Sequence, residues 1–102
     1  MLTTKRKPVT VGEILREEFM APLGLTQSTL AEAMGVQRKH VNELCNDRRN
    51  VTAATALILA RVFGNSPEFW LNVQRRTDLW QAMNSPSERK RIDRAKPLGR
   101  AA

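Results

Sequence analysis

Helix-capping residues recur along the chain at short intervals, and they restrict it to a succession of short helices joined by tight turns. Between the caps, apolar residues return every three or four positions, and no stretch shows the alternation of a strand. Gly24, Gly35 and Gly64 suit the left-handed conformation that ends a helix. Together with the caps Thr10, Thr26, Thr52 and Ser66, they predict five helices, over residues 11–20, 27–34, 38–45, 53–63 and 68–83.

A length of 102 residues is enough for one modest core and therefore for one domain. Residues 10–83 contain all five predicted helices, so we expect them to form a compact, all-α domain. Residues 1–9 precede it as a short basic arm. Residues 84–102 include Pro86, Pro97 and few apolar side chains, which predicts a basic tail that is disordered or only loosely helical.

The net charge of +7 is concentrated at the two ends of the chain. Residues 1–10 contain Lys5, Arg6 and Lys7, and residues 84–102 contain six Lys or Arg against two acidic residues, whereas residues 11–83 are neutral. A neutral body with basic ends fits a nucleic-acid-binding protein whose arms contact phosphates. Basic termini that merely keep a protein soluble explain the same distribution equally well.

Residue types that occur only once exclude several kinds of site. Cys45 is the single cysteine and His40 the single histidine, so the chain has neither an internal disulfide nor the ligands of a typical metal site. Its carboxylates are scattered instead of clustered, which predicts a protein that is not an enzyme and needs no cofactor. Apolar runs are too short to span a membrane, and no apolar stretch follows the basic N-terminus, so we expect a cytoplasmic protein.

The third predicted helix has the chemistry of a helix that reads DNA bases. It follows the second after a very short turn, residues 34–37, as in a helix-turn-helix, where the second helix enters the major groove. Its outward positions fit base edges: Arg38 or Lys39 to guanine, Asn42 to adenine, and Glu43 to a cytosine amino group. The alternative is an ordinary solvated helix face. We take this helix as the reading helix for double-stranded DNA.

Further candidates surround the reading helix and would contact the DNA backbone. Gln27 begins the second helix, where backbone N–H groups meet phosphates, although a plain surface glutamine is an equally good interpretation. Arg48 and Arg49 follow the reading helix and would position it without reading sequence. Gln37 stands directly before the helix, and His40 lies beside its reading face as a phosphate or packing contact.

The fifth helix carries more apolar side chains than one small body is expected to cover. Phe69, Val73 and Trp80 mark one stripe, while Trp70 and other apolar residues spread around the remaining sides. We therefore predict that Phe69, Trp70, Val73 and Trp80 form a dimer interface. The alternative is that the first and fourth helices bury all of them within one chain.

Residues 9–83 resemble the HigA-type antitoxins, a branch of the lambda-repressor-like (XRE) helix-turn-helix family. The helix-turn-helix half of the resemblance is shared by a vast range of regulators. The pattern of its C-terminal half is much more specific to the HigA-like group. Gln37 departs from the pattern because it stands where such proteins often have a Ser or Thr cap. The matching stretches are residues 11–19, 25–27, 30–31, 35–36, 66–74 and 78–80.

The resemblance implies a lambda-repressor-like fold and an antitoxin of a type II toxin-antitoxin system. Members bind operator DNA as dimers, repress their own operon and neutralise a RelE/HigB-like ribonuclease toxin. A stand-alone helix-turn-helix regulator without a toxin partner would share every DNA-binding residue, so the sequence leaves both functions open.

A toxin contact requires a surface that does not face DNA, and the first helix offers one. Glu13, Glu17 and Glu18 lie outside its apolar stripe and form an acidic patch. A ribonuclease that holds RNA is usually basic, so opposite charges would favour the pairing. The alternative is that Glu13 completes a capping box with Thr10, while Glu17 and Glu18 keep the helix soluble.

Overall fold

Six helices follow one another along residues 6–99, the part of the chain that the computed structural model describes. The all-α prediction is confirmed, with six helices in place of five. No helix within this part is long and apolar enough to cross a membrane. Helix α1 combines Val11–Ile14, a π-helical segment Leu15–Met20 and a last turn Ala21–Leu23; α2 is Gln27–Met34, α3 Arg38–Cys45, α4 Ala53–Phe63, α5 Pro67–Met83 and α6 Pro86–Arg94.

The π-helical segment carries α1 past Pro22, three residues beyond its predicted end. In a regular α-helix, the proline ring clashes with the carbonyl group four residues earlier, and no N–H is present to bond it. Here the N–H of Ala21 donates to the carbonyl of Arg16, five residues back, which widens the turn before the proline. The helix then ends at Gly24, whose φ of 65° is left-handed.

The core forms where α1, α4 and α5 enclose Trp70. This side chain is fully buried, and its ring centroid lies 4.9 Å from that of Phe19, 5.0 Å from Phe69 and 6.0 Å from Phe63. Its indole N–H donates to Asn65 Oδ1 at 3.0 Å. The other fully buried large side chains are Leu15, Leu30, Val41, Leu44, Cys45 and Leu59.

The dimer prediction was wrong for two residues of α5. Trp70 and Val73 belong to the core of the single chain and have no surface to offer a partner. Phe69 is half-buried against Phe19, with ring centroids 5.9 Å apart. The alternative in which α1 and α4 bury the apolar faces of α5 therefore holds for its first half. Trp80 is only half-buried and remains a candidate for the interface.

A clip joins the start of α1 to the end of α3. Asp47 accepts hydrogen bonds from the N–H of Gly12 at 2.9 Å and from the Thr10 hydroxyl at 2.8 Å. One turn further along the same face of α1, Arg16 donates to the carbonyl of Cys45 at 2.6 Å. These bonds satisfy groups at a helix start and a helix end that would otherwise lack partners. The clip brings α1 close enough to α3 that only glycine fits at position 12.

Replacing Gly12 with alanine is expected to destabilise the protein. The added Cβ would lie 2.5 Å from the carbonyl oxygen of Cys45 and 2.9 Å from that of Leu44, both of which are backbone atoms. Such overpacking costs about 1–3 kcal/mol and outweighs the higher helix propensity of alanine. Thermal unfolding should show a clear fall in Tm, whereas Glu17→Ala, an exposed change in the same helix, should leave Tm almost unchanged. A Gly12→Ala protein as stable as the wild type would contradict the close approach.

The predicted tail contains α6, which sequence analysis did not find. Ser85 caps it by accepting from the N–H of Glu88 at 3.4 Å, and Pro86 occupies its first position. Ion pairs join Arg91 to Glu88 at 3.0 Å and Arg89 to Asp93 at 3.5 Å. None of its residues is buried. Local capping and charge pairing therefore stabilise a helix in a segment whose low apolar content predicted disorder or only a loose helix. Residues 1–5 of the predicted arm and 100–102 of the tail lie outside the described part.

Candidate nucleic-acid interface

Helices α2 and α3 form a helix-turn-helix. Gly35 ends α2 with a φ of 72°, and the N–H of Val36 donates back to the carbonyl of Ala31 at 3.0 Å. Gln37 is extended and its side chain makes no capping bond, so α3 begins at Arg38 as predicted. Val41, Leu44 and Cys45 are buried, which leaves the polar face of α3 pointing away from the core.

The outward face of α3 presents the side chains that the sequence predicts to read bases. Arg38, Lys39 and Asn42 are exposed. Asn42 donates from Nδ2 to Gln27 Oε1 at 3.2 Å, so the structure brings together two candidates that are 15 positions apart in sequence. After this bond, Asn42 still offers one N–H and its carbonyl oxygen, which is the pair that adenine requires. Gln27 therefore lies at the junction of the two helices instead of standing alone on the surface.

Glu43 and Arg49 form a unit beside this face. Arg49 donates to one carboxylate oxygen of Glu43 from Nε at 2.9 Å and from Nη2 at 2.8 Å. The hydrogen bond from Arg49 lowers the pKa of Glu43, so the carboxylate stays ionised. Glu43 is thus bound within the chain, and its predicted cytosine contact has to compete with Arg49.

The loop between α3 and α4, residues 46–52, follows the reading helix and carries Arg48 and Arg49, both exposed. The N–H of Arg48 donates to the carbonyl of Glu43 at 2.8 Å, and Asp47 adopts a φ of 56°. Gln74 of α5 bonds the far end of the loop at Val51. Sequence analysis missed Asp47 and Gln74. Asp47 offered a weak signal, because aspartate after a helix end tolerates the left-handed region, whereas Gln74 offered none.

His40 packs against the body instead of facing outward. It is half-buried, and its Nε2 has no hydrogen-bond partner among residues 6–99. Burial lowers the pKa of His40, and the positive charge of Arg49 lowers it further. The imidazole is therefore neutral near pH 7, which fits the packing role and disfavours a charged phosphate contact in the free protein.

The lowered pKa of His40 predicts an acid-sensitive stability. As pH falls below the ordinary value of 6.5, the unfolded chain takes up a proton at this residue before the folded protein does. The free energy of unfolding therefore decreases toward acid. His40→Gln should lose less stability than the wild type between pH 7 and 5, as measured by urea unfolding. Lys39→Gln, the exposed neighbour, should keep the wild-type slope. Equal slopes for wild type and His40→Gln would refute the assignment.

The acidic candidates are on α1 and the apolar ones on α5. Glu13 completes the capping box with Thr10, as the simpler alternative held, whereas Glu17 and Glu18 are exposed on the π-helical segment. Near the end of α5, Leu79 is 44% exposed, and the indole nitrogen of Trp80 has no partner within the described residues.

A family model described as Helix-turn-helix matches residues 15–70. The chain is 49% identical to Antitoxin HigA-1 of Vibrio cholerae over 96% of its own length and 90% of that protein. It belongs to the HigA-type helix-turn-helix family. This membership confirms the resemblance inferred from the sequence. Because the HigA-type family consists of DNA-binding proteins, it also confirms that the chain is not an enzyme.

Two solved structures extend the comparison to proteins bound to DNA. The chain superposes with a TM-score of 0.82 on antitoxin GraA in complex with its operator, at 36% identity, covering 96% of this chain and 98% of that one. It superposes with a TM-score of 0.80 on Pseudomonas aeruginosa antitoxin HigA with the higBA promoter, at 34% identity, covering 89% and 98% of the two chains. The HigA-type fold thus extends over nearly the whole of this protein.

Proposed function

We propose that this protein is the antitoxin of a type II toxin-antitoxin system, which binds operator DNA as a homodimer, represses its own operon and neutralises a RelE/HigB-like ribonuclease in the cytoplasm. One observation supports the DNA-binding part of this proposed function. The basic and polar face of α3, with exposed Arg38, Lys39 and Asn42, belongs to a fold that a related antitoxin uses on its operator.

Sequence reading is assigned to α3 and backbone contact to its surroundings. Arg38, Lys39 and Asn42 would enter the major groove, while Arg48 and the N-terminus of α2 at Gln27 would hold phosphates. Two copies related by a two-fold axis would place their reading helices in successive major grooves. The operator should therefore be a palindrome with half-sites centred about 10 base pairs apart, or a multiple of that, which footprinting would measure.

Dimerisation is assigned to the second half of α5, at Leu79 and Trp80. Leu79 is 44% exposed and Trp80 beside it is only half-buried, so the two side chains present apolar area that a second copy would cover. Leu79→Glu should give a monomer in sedimentation velocity at micromolar concentration, where the wild type should sediment as a dimer. Gln81→Glu is the matched control two positions on and should remain dimeric. A dimeric Leu79→Glu protein would move the interface elsewhere.

Toxin binding is assigned to the exposed acidic pair Glu17 and Glu18 on α1. Their support is charge: a ribonuclease needs a basic surface for RNA, and opposite potentials speed its encounter with this helix. Glu13 is the weakest member of the predicted patch because its carboxylate faces Thr10.

Co-expression with the product of the adjacent gene tests the antitoxin function. We expect that product to stop growth when expressed alone, and growth to recover and the two proteins to copurify when both are present. Glu17→Lys with Glu18→Lys should weaken the copurified complex without changing operator affinity, whereas Glu32→Lys on α2 should leave the complex intact. A neighbouring product that is neither toxic nor bound would make the stand-alone regulator the correct function.

A further inference from the structure

One side chain of α5, that of Gln74, holds the C-terminal end of the α3–α4 loop. Gln74 accepts from the N–H of Val51 at 2.9 Å through Oε1, and donates from Nε2 to Asn50 Oδ1 at 3.3 Å. The same Nε2 donates to Asp78 Oδ1 at 2.9 Å. All the hydrogen-bonding atoms of this amide group are thereby engaged, and two of its three partners lie in the loop.

The bond to Val51 has no obvious substitute. Val51 is 5% exposed, and the atom that accepts from its N–H, Gln74 Oε1, belongs to a side chain 23 positions away in sequence. A buried backbone N–H without an acceptor is strongly unfavourable, so the loop depends on Gln74 for its path into the core. Asp78, one turn further along α5, fixes which end of the amide is the donor, because a carboxylate accepts and never donates when ionised.

The loop is held on two other sides as well. Asp47 joins it to the start of α1, and the Glu43–Arg49 pair joins it to α3. Gln74 is the anchor at its C-terminal end. Arg49 is part of the second anchor, and Arg48 lies between Asp47 and Arg49, so the position of both arginines depends on these anchors.

We propose that Gln74, oriented by Asp78, is a positioning residue for DNA binding, which holds the α3–α4 loop where its arginines meet phosphates. The proposal rests on the DNA-binding part of the proposed function. It also gives a role to Gln74 and Asp78. Both lie on α5, in the segments 66–74 and 78–80 that carry the resemblance to HigA-type proteins, and neither belongs to the reading helix α3.

Four variants of the full chain test the role of Gln74, the fourth being Gln74→Glu alone. Gln74→Ala removes the acceptor and both donated bonds. Gln81→Ala is the matched control: it changes a glutamine seven positions on, on the same face of α5, which lines the same small cavity of about 90 Å³ and whose side chain makes no hydrogen bond within residues 6–99. The third variant combines Gln74→Glu with Asp78→Asn. The carboxylate introduced at position 74 can still accept from the N–H of Val51, the amide introduced at position 78 can donate to that carboxylate, and a rotated Asn50 amide can do the same.

Hydrogen exchange without DNA measures the hold on the loop. In Gln74→Ala, the amide of Val51 should exchange about tenfold faster than in the wild type or in Gln81→Ala, because a buried donor has lost its acceptor. The Gln74→Glu with Asp78→Asn protein should restore protection, whereas Gln74→Glu alone should not, because two carboxylates would face each other. Equal exchange in Gln74→Ala and Gln81→Ala would overturn the proposal.

Titration with the duplex upstream of the gene and with a scrambled duplex measures the effect on DNA binding. Gln74→Ala should weaken binding to both duplexes about tenfold and reduce the slope of log affinity against log salt by about one to two, since phosphate contacts are lost. The variant with Gln74→Glu and Asp78→Asn should recover affinity and slope.

Faster exchange of the Val51 amide in Gln74→Ala, with unchanged DNA affinity and salt slope, would overturn the positioning role. If Gln74→Ala does not fold, the variant with Gln74→Glu and Asp78→Asn provides the test. If that variant folds but fails to bind DNA, the proposal is contradicted. A wild type that binds neither duplex would refute the proposed function, while the exchange measurement would still test the loop.

Discussion

A protein carrying Arg38→Ala, Lys39→Ala and Asn42→Ala together is expected to lose its preference for operator DNA. Each good contact to a base edge is worth about 1–3 kcal/mol of discrimination, so the ratio of operator to scrambled-duplex affinity should fall at least about 100-fold. All three side chains are exposed, and the hydrogen bond that is lost with them joins Asn42 to Gln27. The fold should therefore persist, as circular dichroism would show.

The control for this triple variant is Arg48→Ala. Arg48 lies in the loop after the reading helix, so its loss should weaken operator and scrambled duplexes alike and lower the salt slope by about one. Titrations of both duplexes at several salt concentrations separate these two patterns. If the triple variant kept the wild-type ratio of affinities, α3 would not be the reading helix.

Trp70→Ala is expected to have the largest effect on stability. Removing a fully buried tryptophan costs about 3–5 kcal/mol, which is a large share of the roughly 5–15 kcal/mol that stabilises a typical domain. The loss includes three aromatic contacts and the hydrogen bond that leaves Asn65 without its donor. Urea unfolding should show a midpoint far below that of the wild type.

Trp80→Ala provides the matched comparison, because Trp80 is on the same helix but only half-buried. Trp80→Ala should reduce dimerisation while each chain keeps most of its stability. The unfolding midpoint of Trp70→Ala should instead stay low when the protein is diluted or concentrated, because the lost contacts lie within one chain. If a Trp70→Ala protein folds stably but sediments as a monomer, Trp70 would be a dimer contact and not a core residue of the single chain.

The two tryptophans also show why sequence patterns predicted the positions of the helices better than they predicted which side chains are buried within one chain. Capping residues and apolar periodicity are local, so they predicted five helices and the start of α3 at Arg38. Periodicity marks an apolar stripe on α5 but does not say which other helix covers it. Phe63 covers Trp70 from the preceding helix α4, and Phe19 covers it from α1, 51 positions away in sequence. The π-helical turn was missed because Pro22 argued against a continued helix, and the exposed helix α6 was missed because its segment has few apolar side chains.

The candidate DNA-binding surface was predictable where it depends on one helix and hidden where it depends on contacts between helices. The polar face of α3 follows from residues within that one helix. The N–H of Gly12 donates to Asp47 and the N–H of Val51 donates to Gln74, across 35 and 23 positions of sequence. The pairing of Glu43 with Arg49 was equally invisible, although it changes what Glu43 can offer to a base.

The clip between α1 and α3 has a practical consequence for experiments on this protein. It brings the segment before α1 next to the α3–α4 loop, where Lys7 lines the same cavity as Arg49 and Asn50. An affinity tag fused ahead of Thr10 would add bulk next to the loop that is proposed to meet phosphates. Helix α6 packs against α5 at the other end of the sequence. Tags, fluorophores and surface couplings are therefore better attached after Arg94, where they leave the reading helix free for titration.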